Sequence, residues 1–240
     1  MRAILLIARR ELGGYLRTMS GYVIIAVVLA VNGLLFNAGA MSGDKRSAEV
    51  LSQFFWWSSG ITMIASVFVS MRLLAEERQS GTLALLYSSP VRDSEIVVGK
   101  YLSGLAFLAL MVGCSIYMPL LVMVNGKVSL GHVAAGYLGL MLLGSAALAV
   151  GTFGSALAKN QVLAAIVSGC LLAVLTAAWI LASITERPLS DVFTAMALHG
   201  QHFQPFQLGL IHLRDVVYYL MVTYVALFAA TRVLEARRWK

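Results

Sequence analysis

The sequence predicts an all-α integral membrane protein: six transmembrane helices preceded by an amphipathic interfacial helix. Three observations predict it. Of 240 residues, 60% are hydrophobic and only 12% charged, whereas soluble domains are about 45–50% apolar and about 25% charged. The apolar residues gather into six runs, each long enough at ~1.5 Å per residue to cross a hydrocarbon core of about 30 Å. Lys and Arg flank these runs. No water-soluble fold of this length conceals so much apolar surface at a mean hydropathy of +0.83.

Charge and cysteine content narrow the class further. The net charge is +7 and the pI about 9.6. In a soluble chain that would suggest nucleic acid. Here the basic residues sit at the ends of apolar runs, so they set topology and meet anionic lipid head groups; no nucleic-acid partner is expected. Cys114 and Cys170 fall inside apolar runs. They are expected to pack as small apolar residues rather than to form a disulfide framework. No cleavable signal pattern opens the chain, because Arg2, Arg9 and Arg10 interrupt the first apolar stretch.

The first segment, residues 1–18, contains a helix over 3–17. At 100° per residue Ile4, Leu5, Ala8, Leu12, Tyr15 and Leu16 share one face, and Arg2, Arg9, Arg10 and Arg17 the other. A basic amphipathic helix of this kind lies in the head-group plane. The spans follow at about 20–41, 54–75, 96–124, 132–157, 161–182 and 214–234. Backbone in hydrocarbon must satisfy its own hydrogen bonds, so they are helices. The tight connections are 125–131 and 158–160; the long ones are 42–53, 76–95 and 183–213. With the N-terminus in the cytoplasm, 13 of the 18 Lys and Arg residues lie inside, leaving Lys45, Arg46, Lys127, Arg187 and Arg214 outside. The positive-inside rule therefore puts both termini and the 76–95 segment in the cytoplasm.

That segment is the longest charge-rich stretch that remains periodic. Glu76, Glu77 and Arg78 end an apolar run, since a charge at the centre of a span costs roughly 2.5–3.5 kcal/mol. Gly81 is placed to end a helix with positive φ, and Thr82 to cap the next. Leu83, Leu85 and Leu86 give a short helix one apolar side, and Pro90 stops it. Asp93 or Ser94 is placed to cap the following helix. The loop reads as a short rigid helix across the membrane surface, suited to passing force to a partner docked from the aqueous side.

Here the residues carry a resemblance. The run Glu76-Glu77-Arg78-x-x-Gly81-Thr82-Leu83-x-Leu85-Leu86-x-Ser88-Ser89-Pro90-Val91, then Glu95-Ile96-Val97-x-Gly99-Lys100, resembles permeases of the ABC type-2 exporter family. The chain departs at Ala84, where family members often carry a second Glu. The tail resembles the gliding-motility transport permease branch, from Gln201-His202-Phe203 through Phe206, Gly209 and Leu213-Arg214-Asp215 to Arg237-Arg238-Trp239. The resemblance implies the ABC type-2 exporter permease fold, with residues 1–18 as an elbow helix. It implies that Glu76, Glu77, Arg78, Gly81, Thr82, Leu83, Leu85, Leu86 and Pro90 seat on a separate ABC ATPase subunit that binds ATP and Mg. Implied partners are a second permease copy or a similar permease, an accessory extracytoplasmic-facing protein, and membrane lipids. The implied location is the bacterial inner membrane.

The remaining signals are less specific. Ala165, Gly169, Ala173 and Ala177 recur at four-residue spacing, which permits close helix approach; the seam fits either a dimer interface or packing within one subunit. Gly136, Gly139, Gly144, Gly151 and Gly154 read the same way. The 183–213 segment is expected as a cap of short or re-entrant helices at the outer membrane face. Its two histidines three apart, His199 and His202, lack a carboxylate or Cys to complete a metal set. Arg214 and Asp215 are expected to pair at the start of the sixth span. No nucleotide site is expected in this chain: around Gly99-Lys100 the P-loop pattern needs Gly at 94 and Ser or Thr at 101, where Ser94 and Tyr101 stand. With few ionisable groups inside the spans, a proton-driven carrier is disfavoured. A stand-alone carrier or channel and a membrane scaffold are the alternatives.

Overall fold

The computed structural model describes residues 2–40, 46–82, 91–126 and 128–238. Six apolar helices long enough to cross a membrane are present: Met19–Gly39, Ser47–Gln79, Asp93–Val124, Leu130–Leu157, Gln161–Ile184 and Leu213–Arg237. The described helices are α1 (Arg2–Arg17), α2 (Met19–Leu35), α3 (Ser47–Leu73), α4 (Ala75–Gln79), α5 (Asp93–Cys114), α6 (Tyr117–Asn125), α7 (Leu130–Leu157), α8 (Gln161–Ile184), α9 (Leu189–Met196), α10 (Gln204–Gln207) and α11 (Leu213–Arg238), with one π-helical turn at Phe36–Ala40 closing α2; α1, α9 and α10 lie outside the spans. No strand occurs among the described residues. The fold is the all-helical six-span class that composition and periodicity predict.

α7 is the axis. It packs against α3, α5, α8, α10 and α11, and Leu143 and Ala146 to Ala149 are fully buried along it. Glycine sets how close its neighbours come. A Cβ at Gly151 would lie 2.1 Å from Ser70 Oγ, and one at Gly154 would lie 2.4 Å from Ser168 Oγ. Hydroxyls fill the seams that result. Ser58, Thr62, Ser66 and Ser70 repeat every fourth residue on the buried face of α3, and Thr62 and Ser66 each bond the carbonyl one turn back. Ser168 donates to Gly151 O across the α7–α8 contact at 3.0 Å. Each hydroxyl is satisfied, which hydrocarbon surroundings require.

The third span is broken. α5 ends at Cys114 and α6 begins at Tyr117. Pro119 is the cause: it has no N–H, and its ring clashes with the carbonyl four residues back, at Ser115. The α5 N-cap is Arg92, not Asp93 or Ser94; its N–H donates to Glu95 Oε2 at 3.2 Å.

Two further expectations are corrected, the packing of the cysteines and the partner of Asp215. Cys114 and Cys170 are free and exposed on the outside of the bundle. The 183–213 segment forms the short helices α9 and α10, and Leu198, Phe203 and Phe206 are fully buried in the main core. A Cβ at Gly139 would lie 2.5 Å from Phe206 Cβ, so α7 glycines make the room they fill. Asp215 does not pair with Arg214. Its Oδ1 lies 2.7 Å from His202 Nδ1, and both side chains are nearly buried.

His199 and His202, the cap histidines three residues apart, serve packing. His199 Nε2 lies 2.7 Å from Ser59 Oγ. The Ser59 hydroxyl donates to Trp56 O at 2.6 Å, so the imidazole Nε2–H is the donor of the pair. Burial pushes the His199 pKa below its ordinary 6.5. Among the described residues no group of three or more His, Cys, Asp or Glu side chains is placed to hold a metal.

Candidate functional site

The amphipathic helix α1 forms as its pattern requires. Tyr15 is buried, Ile4, Ala8 and Leu12 are half-buried, and Arg9, Arg10 and Arg17 are exposed; Leu5, on the same face, stays 66% exposed. α1 lies on α5 because Gly99 allows it: a Cβ there would meet Ile7 Cβ at 3.0 Å and Ile4 O at 3.1 Å. Tyr15 then reaches two spans. Its ring stacks on Phe107 at 5.0 Å between centroids, and its hydroxyl donates to Val69 O at 3.1 Å. Burial holds its phenol pKa well above the ordinary range, against the pull of the Arg72 cation.

At this end α3 stops at Leu73 and the chain bends at Leu74 into the five-residue α4. The bend groups charges that lie apart in sequence. The Lys100 ammonium, about two turns into the third span at 3.6 residues per turn and 1% exposed, lies 2.9 Å from Glu77 Oε1 and 3.2 Å from Glu11 Oε1. One cation thus joins α1, α4 and α5. Arg72 holds Glu76 through Nε at 2.9 Å and Nη2 at 3.4 Å. It also donates to Ser20 Oγ at 2.7 Å and lies over the Tyr15 ring at 5.5 Å. Around these pairs is a cavity of about 300 Å³, lined by Arg10, Glu11, Tyr15, Arg72, Glu76, Glu77, Thr82 and Lys100. Glu77 Oε2 is buried and has no hydrogen-bond partner, so Lys100 is what makes the buried carboxylate tolerable.

The residues singled out in the sequence divide as follows. Arg10, Glu76, Glu77 and Thr82 come together in this cavity. Arg78 turns the other way and donates through Nη1 to Ala158 O, at the end of α7. Gly81 takes φ +73°, the left-handed turn expected of it, and Thr82 Oγ1 reaches back to Glu77 O at 3.4 Å. Leu83, Leu85, Leu86 and Pro90 lie outside the described residues. Arg2 begins α1. Sequence reasoning missed Glu11, Tyr15, Arg72 and Lys100 as members of the site. The signal for Lys100 was present: a lone cation inside an otherwise apolar run needs a partner.

Ala165, Gly169, Ala173 and Ala177 are elsewhere. The buried face of α8 carries Ala164, Ser168, Leu172 and Ala178 instead. A Cβ at Gly169 would meet nothing within 4 Å. Gly169 and Ala173 line an apolar groove of about 450 Å³ between α3 and α8. A second groove of about 330 Å³ lies between α2 and α3, and Ile64 and Phe68 border both. The small-residue row therefore stands beside the packed face rather than in it.

A chain of six apolar helices long enough to cross a membrane, with α1 pinned to a charged bend at one end, is a multi-pass membrane protein. Comparison with protein families identifies which. A family model for the membrane domain of the ABC-2 family transporter proteins matches residues 59–229, most of the chain and five of its spans. The protein belongs to the ABC-2 transporter family. Comparison with curated proteins returns no match.

Proposed function

We propose that this chain is the permease subunit of an ATP-binding cassette transporter, and that its 76–90 segment is the surface on which a separate ATPase subunit docks. ATP and Mg then belong to that subunit. Both termini face the cytoplasm in this reading, and the bacterial inner membrane is its setting. The observation that carries the proposal is the ion-pair node of Glu11, Glu77 and Lys100. A docking loop transmits force only if its root is rigid. Here a buried cation ties the root to the elbow helix and to the third span, so a push on α4 reaches both. Closure of the ATPase subunits would tilt α4 with the second and third spans and shift the balance between two arrangements of the bundle. Gly81 directs the chain out of α4 toward residues 83–90, where Leu83, Leu85, Leu86 and Pro90 would meet the ATPase.

The grooves flanking the Ile64 and Phe68 ridge support a second permease copy as a partner, because a ridge bordered by grooves is the shape a two-fold contact needs. The accessory extracytoplasmic-facing protein would meet the 183–213 cap. Cargo is export substrate or a mechanical signal.

The test is purification in mild detergent. Wild type is expected to bring down a P-loop ATPase; Glu76→Lys, at a half-exposed carboxylate, and Gly81→Leu are expected to insert normally but to lose or uncouple it. Unchanged ATPase recovery and unchanged transport in both variants would sink the reading. Function that persists after ATP depletion would replace it with a stand-alone carrier.

A further inference from the structure

Glu76 and Glu77 face the elbow helix. The residues around them make a second set of contacts, toward α7 and α8. At the Leu74 bend (φ −119°, ψ −35°) a helix break leaves backbone N–H groups in need of partners. The Ser155 hydroxyl oxygen accepts from both Leu74 N, at 3.2 Å, and Ala75 N, at 3.0 Å. Its own proton points to Met71 O at 3.4 Å. One buried side chain of α7 therefore satisfies the bend from the outside. Farther along α4, Arg78 donates to Ala158 O, and Gln79 Oε1 accepts from Gln161 N, the first residue of α8, at 3.3 Å. Beneath these bonds Ala75, Ala158 and Ala164 form a small apolar cluster of their own. The connection between α7 and α8 is three residues long and has no slack.

We infer that Ser155 and Arg78 are positioning residues that latch α4 to the α7–α8 turn, so that α4 and the turn move as one body about the bend at Leu74. Movement of α4 then enters the membrane through the fourth and fifth spans as well as through the second and third. Where the movement comes from rests on the coupling reading above; the latch does not.

The latch is tested on the whole chain alone, in lipid nanodiscs, with Cys114→Ala and Cys170→Ala as background. Gln79→Cys and Gln161→Cys supply a cross-linking pair. Ser155→Ala and Arg78→Ala, separately, are expected to slow disulfide formation by roughly three- to tenfold, the shift that one hydrogen bond supports. Ser155→Thr and Arg78→Lys, which keep the acceptor and the donor, are expected to restore most of the rate. Monodisperse elution identifies variants that fold. Rates within a factor of about two of the parent in both alanine variants, below what one such bond supports, would overturn the inference. So would equal loss in the conservative variants, which would mark a purely structural role. A second arm uses spin labels at Gln79→Cys and Gln161→Cys in the complex with its ATPase. Their separation is expected to stay constant on addition of ATP and vanadate while each moves relative to a label at Leu12→Cys. A changed separation would overturn the joint movement. If no ATPase co-purifies, the coupling reading fails, and the cross-linking arm still decides the latch.

Discussion

Lys100 and Glu77 form the most buried charge contact at the α4 end of the bundle, 2.9 Å apart with the lysine 1% exposed. Neither group belongs in such a place alone. The ammonium is affordable because two carboxylates face it, and the carboxylates are held inward because it faces them. Removing one partner of a buried pair is far more damaging than replacing the set.

Lys100→Met should therefore destabilise the folded protein by roughly 3–5 kcal/mol, the usual cost of leaving buried charge without its counter-ion. Glu11→Gln, Lys100→Met and Glu77→Gln together should recover most of that loss. Thermal unfolding in detergent, followed by intrinsic fluorescence, checks both. A single variant that melts with wild type would mean that Glu11 and Glu77 swing out to water and that the node carries no load.

The glycines of α7 and α8 make opposite predictions. Gly154→Leu forces a side chain into Ser168, where even a Cβ would sit 2.4 Å from the hydroxyl. Overpacking of this kind costs about 1–3 kcal/mol, and the variant should melt early. Gly169→Leu meets open space and should leave the monomer's melting unchanged. If the α8 row is a seam between two copies, Gly169→Leu should still shift the detergent-purified protein from dimer to monomer in light scattering. An unchanged mass would remove this row from the dimer interface.

These residues also mark what sequence can reveal. Six spans, the elbow helix and the turn at Gly81 were legible because each follows from a local rule: span length, a 100° moment, and glycine's access to positive φ. Lys100 was legible as an oddity but not as a node, because its partners, Glu11 and Glu77, arrive from two other helices. Ser155 gave no signal at all, since a serine at a helix end is ordinary until a helix break is placed against it. The burial of the cap's aromatic residues was hidden for the same reason. Phe203 and Phe206 look like a surface apolar strip, and only the space left by Gly139 shows that they enter the core.

Acid should loosen the cap. His199 has a pKa below the ordinary 6.5 because burial disfavours its charged form. The unfolded chain therefore takes up this proton before the folded one does. The stability it supports is complete above about pH 6.5 and declines as pH falls from there through the lower native value. Melting temperature measured from about pH 8 to about pH 5 should drop with a slope that His199→Gln reduces, the histidine reference pKa setting the midpoint on the unfolded side. Identical slopes in the two proteins would assign the acid sensitivity to other groups.

Gly81 offers the sharpest test of the docking loop, because strain and crowding separate there. A Cβ would meet nothing within 4 Å, yet the residue sits at φ +73°. Substitution is thus opposed by backbone conformation alone, at roughly 1–2 kcal/mol for an ordinary residue and less for Asn, which tolerates the left-handed region. Gly81→Asn should preserve the direction in which the chain leaves α4 and keep ATPase recovery near wild type. Gly81→Val, β-branched and averse to positive φ, should re-aim residues 83–90 and lower ATPase recovery severalfold, with insertion and melting of the bundle unchanged. The comparison is made by co-purification from membranes at equal permease level. Equal recovery with Asn and Val would show that the turn at Gly81 does not set the docking geometry.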